Sequence, residues 1–310
     1  MKRVLHYQIT EQDAGMSVAD FLRSRGFSRH LLTELRRSGD GVRLNDRPVF
    51  LSALLSFMDC LKVCLPPEEP SGHIVPVPLP LSIVYEDEDL LIVNKPCDMP
   101  VHPSIGNYEN TLANALAWYH KENGLPFVFR CINRLDRDTS GLLIVARNAL
   151  SASALSDQMR QRNIHRTYLA VVKGIAPSFG TIDVPIARAS DSLIERCVDE
   201  KNGEAAVTHY ERLALSCNHA YSLLKITLET GRTHQIRVHL KSIGHPLPGD
   251  YLYCPDYTDY TRQPLHSWQL SFLHPVTRQP LCFSSALPSD FHPEFFPDFH
   301  GKDSSSSEQV

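Results

Sequence analysis

The chain has 310 residues, 42% of them hydrophobic, and a formal net charge of -4 at pH 7. This composition can supply a packed core for one large domain, or for a large domain and a small one. The sequence contains no run of eighteen apolar residues, and its first residues, MKRVLHYQITEQD, lack the apolar stretch of a signal peptide. We therefore expect a cytoplasmic protein with no membrane partner.

The first 75 residues are predicted to form a small unit. Apolar residues at helical spacing predict one helix around 18–22 and a second around 31–35, which Ser28 can cap and Gly39 can end. A hairpin is predicted next, with strands at 42–44 and 49–51 on either side of an Asn-Asp turn.

This small unit carries a strong local charge. Between Phe21 and Phe50 there are seven arginines and three acidic residues, a local excess of four positive charges, although the negative total argues mildly against a nucleic-acid partner. Two helices followed by small strands, basic on one side, resemble the alpha-L RNA-binding motif of the ribosomal-protein S-four type. The resemblance implies RNA binding, with Arg29, Arg36 and Arg37 as candidate contacts. A solvated helix face is the alternative interpretation.

A linker and a larger unit are predicted to follow. Six prolines in 66–80, PPEEPSGHIVPVPLP, remove backbone donors and favour an extended chain. Beyond it we predict strands at 90–93, 142–146, 168–172, 205–215 and 221–228, and helices at 111–120, 150–160 and 233–243. Strand pairs with short turns favour an α+β fold, with a mixed, mainly antiparallel sheet and flanking helices. We expect a small α/β domain over 1–75, a large domain over 76–300 and a disordered tail over 301–310.

The eight cysteines are scattered along the chain without a CxxC pair. This spacing fits neither a zinc ribbon nor a redox motif, so we expect reduced and mostly buried thiols. His234 and His239 are five residues apart, which separates them around a helix, and we assign no metal to them.

The most informative stretch is a polar loop, NRLDRDTSG at 133–141, that runs straight into the apolar strand predicted at 142–146. The loop imitates the start of a calcium-binding EF-hand, but Arg147 occupies the twelfth position, where a bidentate Glu is needed. Asp136 and Asp138 also suggest the acid and base of a glycosidase. However, residues two apart in an extended loop are expected to point the same way, and arginines flank them.

The longer stretch NRLDRDTSGLLIVA resembles the signature of the RluA family of pseudouridine synthases, a loop of the form HRLDxxTSG before an apolar strand. In that family the Asp of the loop is catalytic, which implies a catalytic role for Asp136. This sequence departs from the family pattern at Asn133, where the family commonly has His. Asn can still hydrogen-bond to backbone groups.

Four further blocks resemble the family in the same order along the chain. IVYEDEDLLIVNKPCDMPVHP (83–103) resembles the opening strand segment, and LHSWQLSFLHPVT (265–277) the closing strand. HRTYLAVVKG (165–174) resembles the segment that supplies the active-site tyrosine, here Tyr168. LETGRTHQIRVHLKSIGHPLPGD (228–250) resembles the segment that supplies an arginine facing the aspartate, here Arg237. The resemblance implies the pseudouridine synthase fold and isomerisation of uridine in ribosomal or transfer RNA. With its amino-terminal unit, the chain resembles the RluD-like members of the family.

The chemistry fits these residue types. Turning uridine into pseudouridine changes no oxidation state, so a carboxylate suffices and no cofactor or metal is expected. A guanidinium from Arg237 would favour the charged carboxylate, while Tyr168 offers a ring for the base and a hydroxyl for proton transfer. The base must leave its stack to be reached, and Arg134 is our candidate to fill the vacated space or hold a phosphate.

Several interpretations remain open from the sequence. Arg232 and His234, near a helix start, suit a phosphate or a carboxylate and are our candidates for substrate binding. A non-catalytic RNA-binding protein and a glycoside- or nucleoside-cleaving hydrolase are rivals to the isomerase. A hydrolase would need a second carboxylate to activate water. We expect a monomer.

Overall fold

The computed structural model describes residues 3–68, 72–297 and 299, so the tail predicted at 301–310 lies outside the described residues. Its amino-terminal part is a four-stranded antiparallel sheet that shares one apolar core with two helices. The elements are β1 (Val4–Gln8), α1 (Val18–Ser24), α2 (Arg29–Arg37), β2 (Val42–Leu44), β3 (Arg47–Pro48) and β4 (Cys60–Cys64), in the strand order β1-β4-β2-β3. Both predicted helices are confirmed, and the Ser28 side chain accepts the N–H of Leu31 as the predicted cap of α2.

The first strand of the predicted hairpin is confirmed, but the predicted position of the second strand is wrong. Asn45 and Asp46 both have positive φ, as in a two-residue type I′ turn, so pairing resumes at once and Leu44 faces Arg47. The second strand is therefore 47–48 rather than 49–51. The sequence pattern does not predict β1 or β4, which pair with each other across more than fifty residues.

The amino-terminal sheet packs against the rest of the protein through charged and apolar contacts. Arg3 binds the carboxylate of Asp89 at 2.7 Å, and Glu68 binds Arg130 at 2.8 Å. Leu150, from beyond the predicted linker, joins the apolar core of this unit. The described parts of that linker, residues 66–68 and 72–80, contain no helix or strand, and the carbonyl of Val75 accepts a hydrogen bond from the Asn114 amide at 2.8 Å.

The larger part of the described chain is built on a nine-stranded mixed sheet. The elements are β5 (Ile83–Glu86), β6 (Leu90–Lys95), α3 (Leu112–Glu122), β7 (Ser140–Ala146), α4 (Ala149–Arg160), β8 (His165–Lys173), β9 (Phe179–Asp183), β10 (Ile186–Arg188), β11 (Arg196–Val198), β12 (Val207–Leu215), β13 (Tyr221–Leu228), α5 (Gln235–Ser242), β14 (Leu265–Leu273) and β15 (Pro280–Ser284). The strand order is β5-β6-β7-β14-β8-β13-β12-β9, with β15 on β14 and a separate β10–β11 pair. Within the described strands of this sheet, β7 and β14 pair in parallel and the other pairs are antiparallel, which confirms the predicted α+β class.

Most of the predicted elements in this part are present with small shifts of their ends. The helix predicted at 233–243 begins two residues late, at Gln235, because His234 adopts the left-handed conformation (φ 57°) and cannot belong to a right-handed helix. The eight cysteines are free thiols, but none is fully buried, and Cys60, Cys217 and Cys282 are exposed, so the expectation of mostly buried thiols is wrong. Among the described helices, none has the length and apolar character needed to cross a bilayer.

Candidate active site

The loop before β7 is held by Asn133. This buried side chain accepts the N–H of Ile144 at 2.9 Å and donates to the carbonyl of Leu142 at 3.4 Å, so both partners belong to the strand that the loop enters. The N–H of Thr139 closes the loop by donating to the carbonyl of Asp136 at 3.2 Å. Asn133 therefore makes the backbone contacts expected of it and displays Asp136, whose side chain is 29% exposed, at the wall of a cavity.

The side chains of Lys95 and Arg262 bind the main chain of the same loop. The ammonium of Lys95 is buried and donates to the carbonyls of Pro96, Met99 and Arg137 at 2.8–2.9 Å. Arg262 donates to the carbonyl of Asp138 at 2.7 Å. Burial lowers the pKa of Lys95 to about 7. Each side chain reaches a main-chain oxygen of the loop, Arg137 for Lys95 and Asp138 for Arg262, and so fixes the backbone there.

Gly141 fixes the point where the loop enters the sheet. Its φ is +110°, and a Cβ at this position would overlap the backbone of Ser267 on the neighbouring parallel strand β14. A glycine is therefore required for β7 and β14 to approach each other.

Arg237 links Asp136 to a second carboxylate. Its Nη1 lies 2.9 Å from Oδ2 of Asp136, while Nε and Nη2 bind the two oxygens of Asp250 at 2.7 and 2.8 Å. Arg237 and Asp250 are 1% and 0% exposed, and the ring of Tyr253 lies 4.9 Å from the guanidinium carbon. Burial opposes the charged form, but the hydrogen bond to Asp250 and the charge of Asp136 outweigh it and raise the pKa of Arg237 above its usual range. The site thus holds a permanent cation against Asp136.

Asp136, Arg237 and Tyr168 line one cavity of about 810 Å³. Tyr168 lies on β8 and is 4% exposed. Burial raises the pKa of Tyr168, so its hydroxyl stays protonated at neutral pH. The structure therefore brings together the three residues that the sequence nominated for catalysis.

The predicted substrate-binding residues line the same cavity but differ in whether their side chains already have a bonding partner in the protein. Arg134 is exposed and has no hydrogen-bond or ion-pair partner within 3–68, 72–297 and 299. Arg232 instead forms an ion pair with Glu204 and donates to the carbonyl of Ala205 at 3.1 Å. Of the two predicted substrate-binding arginines, Arg134 is thus the one whose guanidinium has no partner among the described residues.

His234 lies just before α5 and faces the Asp136 carboxylate. Its Nε2 is 3.9 Å from Oδ2 of Asp136, and its Nδ1 is 2.9 Å from the hydroxyl oxygen of Tyr253. Burial lowers the pKa of His234, which keeps the ring neutral at neutral pH. His234 can therefore offer a hydrogen bond at the cavity but not a second full charge.

Asp138 does not share the cavity of Asp136. It lines a separate cavity of about 280 Å³ on the other side of the loop, together with Asp98, Tyr251 and Arg262. The expectation that Asp136 and Asp138 point the same way is wrong, because the Asp136–Thr139 turn interrupts the extended backbone on which that expectation rested. This separation removes the obvious second carboxylate of a glycosidase.

The arginines nominated for RNA binding lie exposed along α2. Arg37 forms a weak ion pair with Glu34 at 3.3 Å, whereas Arg29 and Arg36 have no acidic partner in the described chain. Arg36 also borders a small groove of about 130 Å³ beside Phe50, which is 84% exposed. Two of the three candidates are therefore free to meet an anion.

Sequence reasoning missed three supporting residues, Lys95, Asp250 and Arg262. Lys95 lies in the Asn-Lys-Pro element that resembled the family, so that element was the available signal. Asp250 is the last residue of the block at 228–250 that resembles the family, so that block was the available signal for it, whereas Arg262 lies outside every such block.

One cluster of Asp87, Asp89 and His274 has the spacing of a metal site. Its oxygens are already occupied, because Asp87 accepts from His274 at 2.9 Å and Asp89 is bound by Arg3 at 2.7 Å. Further donors come from Tyr85 and Asn148. The cluster therefore provides structural contacts between the amino-terminal part of the chain and the larger part.

Comparison with known proteins agrees with this geometry. Residues 89–242 match a family model described as RNA pseudouridylate synthase. A Bacillus subtilis protein called uncharacterized RNA pseudouridine synthase YjbO is 38% identical over 89% of this chain and 96% of its own length. Ribosomal large subunit pseudouridine synthase D of Zymomonas mobilis is 42% identical over 85% of this chain and 87% of its own.

A solved structure has the same fold. The human protein RNA Pseudouridylate Synthase Domain Containing 1 superposes with a TM-score of 0.57 at 29% identity, over 74% of this chain and 90% of that one. Together with relatives above 30% identity along most of the chain, this likeness settles the family. The chain belongs to the RluA family of RNA pseudouridine synthases, which are isomerases, and is RluD-like within it.

Proposed function

We propose that Asp136 is the catalytic residue with which this enzyme isomerises uridine in structured RNA. The observation that carries the proposal is the 2.9 Å contact between Asp136 and the buried guanidinium of Arg237, at the wall of a cavity large enough for a nucleotide. The cation favours the charged carboxylate in a partly dehydrated site, where it can act as a nucleophile or stabilise developing positive charge. No step in this chemistry needs a metal or an organic cofactor.

Arg237 and Tyr168 complete the catalytic group in this proposal. Because Arg237 is held by both oxygens of Asp250, it can orient Asp136 without moving during the reaction. The ring of Tyr168 is a surface for the uracil, and its protonated hydroxyl can assist proton transfer at ring carbon 5.

The target nucleotide must be everted from its stack to reach Asp136. The exposed, unpaired guanidinium of Arg134 is placed at the cavity rim, where it can occupy the vacated space or bind a phosphate. Arg232, tied to Glu204, and the neutral ring of His234 would contact the substrate as hydrogen-bond donors.

We further propose ribosomal RNA of the large subunit as the substrate, with transfer RNA as the alternative. The first is supported by the names of several relatives, called ribosomal large subunit pseudouridine synthase D. Residues 1–75 would act as an RNA-binding domain and 76–300 as the catalytic domain. We further propose that the enzyme works in the cytoplasm as a monomer.

The function is tested by incubating the protein with large-subunit ribosomal RNA transcribed without modifications. We expect a mass-silent isomer, detected as pseudouridine after nuclease digestion, and no free uracil. Release of uracil would identify a hydrolase, and binding without any product would identify a non-catalytic RNA-binding protein. Pseudouridine mapping in cells with and without the protein then identifies the modified uridine.

A variant of α2 tests the RNA-binding role of the amino-terminal part. Arg36→Gln should weaken RNA binding severalfold and reduce its salt dependence, because one phosphate contact is lost, while turnover at saturating RNA is retained. Arg23→Gln is the matched control, since Arg23 lies on α1 and is already paired with Asp20 at 2.6 Å. Equal binding by both variants would show that α2 does not contact RNA. Deleting the whole unit is a poorer test because it would uncover Leu150.

A further inference from the structure

Arginines dominate the charge of the active-site cavity, and most of them are already neutralised. Those that line it in the described chain are Arg134, Arg160, Arg162, Arg166, Arg232 and Arg237. Carboxylates pair with four of these, namely Asp157 with Arg160, Glu229 with Arg162, Glu204 with Arg232, and Asp136 and Asp250 with Arg237. Arg134 and Arg166 have no acidic partner in the part of the chain that the structure covers.

Arg166 differs from Arg134 in its surroundings. Arg134 is exposed, so water can satisfy its guanidinium, whereas Arg166 is half-buried on β8. The Nε of Arg166 is buried and has no hydrogen-bond partner among the residues described. A buried donor without an acceptor costs about 1–3 kcal/mol, so this position is incomplete without a ligand.

The location of Arg166 is specific. It is two residues before Tyr168 on the same strand, so the two side chains lie on the same face of the sheet, and the charge of Arg166 acts on the Tyr168 hydroxyl. On another side lies Gly231, where a Cβ would come within 3.2 Å of Nη1 and 3.4 Å of Nη2. The absence of a side chain at Gly231 leaves room for the guanidinium, which therefore lies beside the group proposed to hold the uracil.

We propose that Arg166 binds a backbone phosphate of the RNA, next to the everted uridine. The proposal rests on the function assigned above to Asp136 and Tyr168. A phosphate fits better than a uracil carbonyl because it offers charged acceptor oxygens to the guanidinium and neutralises a charge that no described carboxylate compensates. Held there, the phosphate fixes the ribose of the target nucleotide relative to Asp136.

The test compares full-length Arg166→Gln and Arg166→Lys with the parent enzyme. The affinity of each enzyme for an RNA that the parent modifies is measured by titration at several salt concentrations. Turnover is measured on the same RNA. Arg166→Gln should bind about 10- to 100-fold more weakly, as expected for the loss of a hydrogen bond to a charged group. Its slope of log affinity against log salt should fall by about 0.7–0.9, the value for one lost phosphate contact. Turnover at saturating RNA should fall far less than affinity.

Arg166→Lys keeps the charge but not the planar fork, so it should retain the salt slope of the parent and lose less affinity. Lys225→Gln is the matched charge control, because Lys225 lies on the neighbouring strand β13, outside the cavity, 3.7 Å from Glu211. It should bind like the parent. Thermal unfolding of each variant separates loss of fold from loss of contact.

A lower kcat for Arg166→Gln with an unchanged salt slope would overturn the proposal, since Arg166 would then act on the base or through Tyr168. A salt slope lowered equally by Lys225→Gln would also overturn it, because the effect would reflect total charge. Failure of the parent itself to form pseudouridine would contradict the proposed function instead, so the two failures are distinguishable.

Discussion

Replacing Asp136 with Asn should lower kcat at least about 10³-fold, because the amide can neither attack as a nucleophile nor carry the negative charge. The fold should survive the change. Arg237 keeps both hydrogen bonds to Asp250, so its buried charge remains paired when Asp136 becomes neutral. RNA affinity should also persist, since the phosphate contacts lie elsewhere. Release of tritium from ring carbon 5 of labelled uridine measures the turnover.

Asp138→Asn is the matched control for this experiment. It removes the same charge two residues away in the same loop, but from a side chain that lines the other cavity. It should retain most of the turnover. Substantial activity in Asp136→Asn, or equal losses in both variants, would defeat the assignment of Asp136.

The contacts within the active site show what a sequence can indicate. The polar loop and the blocks resembling the family lead directly to Asp136, Tyr168 and Arg237, because these residues stand at fixed positions inside recognisable segments. Asn133 likewise was expected to hydrogen-bond to backbone, and it does so through Ile144 and Leu142. Contacts of this kind can be predicted because they depend on residues that are close together in the sequence.

Contacts between distant segments were not predictable in this way. Arg237 is buried because Asp250 and Tyr253 arrive from a later turn and cover it, which the residues around Arg237 do not indicate. The pairing of β1 with β4 joins segments more than fifty residues apart, and neither segment alone shows a strong strand pattern. Such contacts depend on tertiary packing, which overrides local propensity.

Backbone conformation produced the remaining errors. The left-handed His234 shortens α5, and the I′ turn at Asn45 and Asp46 shifts the second strand of the hairpin. The turn at Asp136 and Thr139 sends Asp136 and Asp138 to different cavities. Positive φ at residues other than glycine is uncommon, so a sequence pattern based on average preferences misplaces the first two of these points.

Replacing Arg237 with Met should both destabilise the protein and abolish turnover. The carboxylate of Asp250 is 0% exposed and would lose the guanidinium that binds both its oxygens. Leaving one partner of a buried pair uncompensated costs about 3–5 kcal/mol, measurable as a lower free energy of unfolding in urea. Turnover should vanish as well, because Asp136 would lose the cation that orients it.

These two effects are separable by adding Asp250→Asn to Arg237→Met. The amide removes the buried charge, and its oxygen can still accept the N–H groups of Leu252 and Tyr253, which Asp250 accepts at 3.0 and 3.2 Å. The double variant should therefore recover most of the lost free energy of unfolding. Its turnover should stay lost, because no guanidinium then contacts Asp136. Recovery of activity together with stability would show that Arg237 serves only to neutralise Asp250, and Arg237 would no longer belong to the catalytic group.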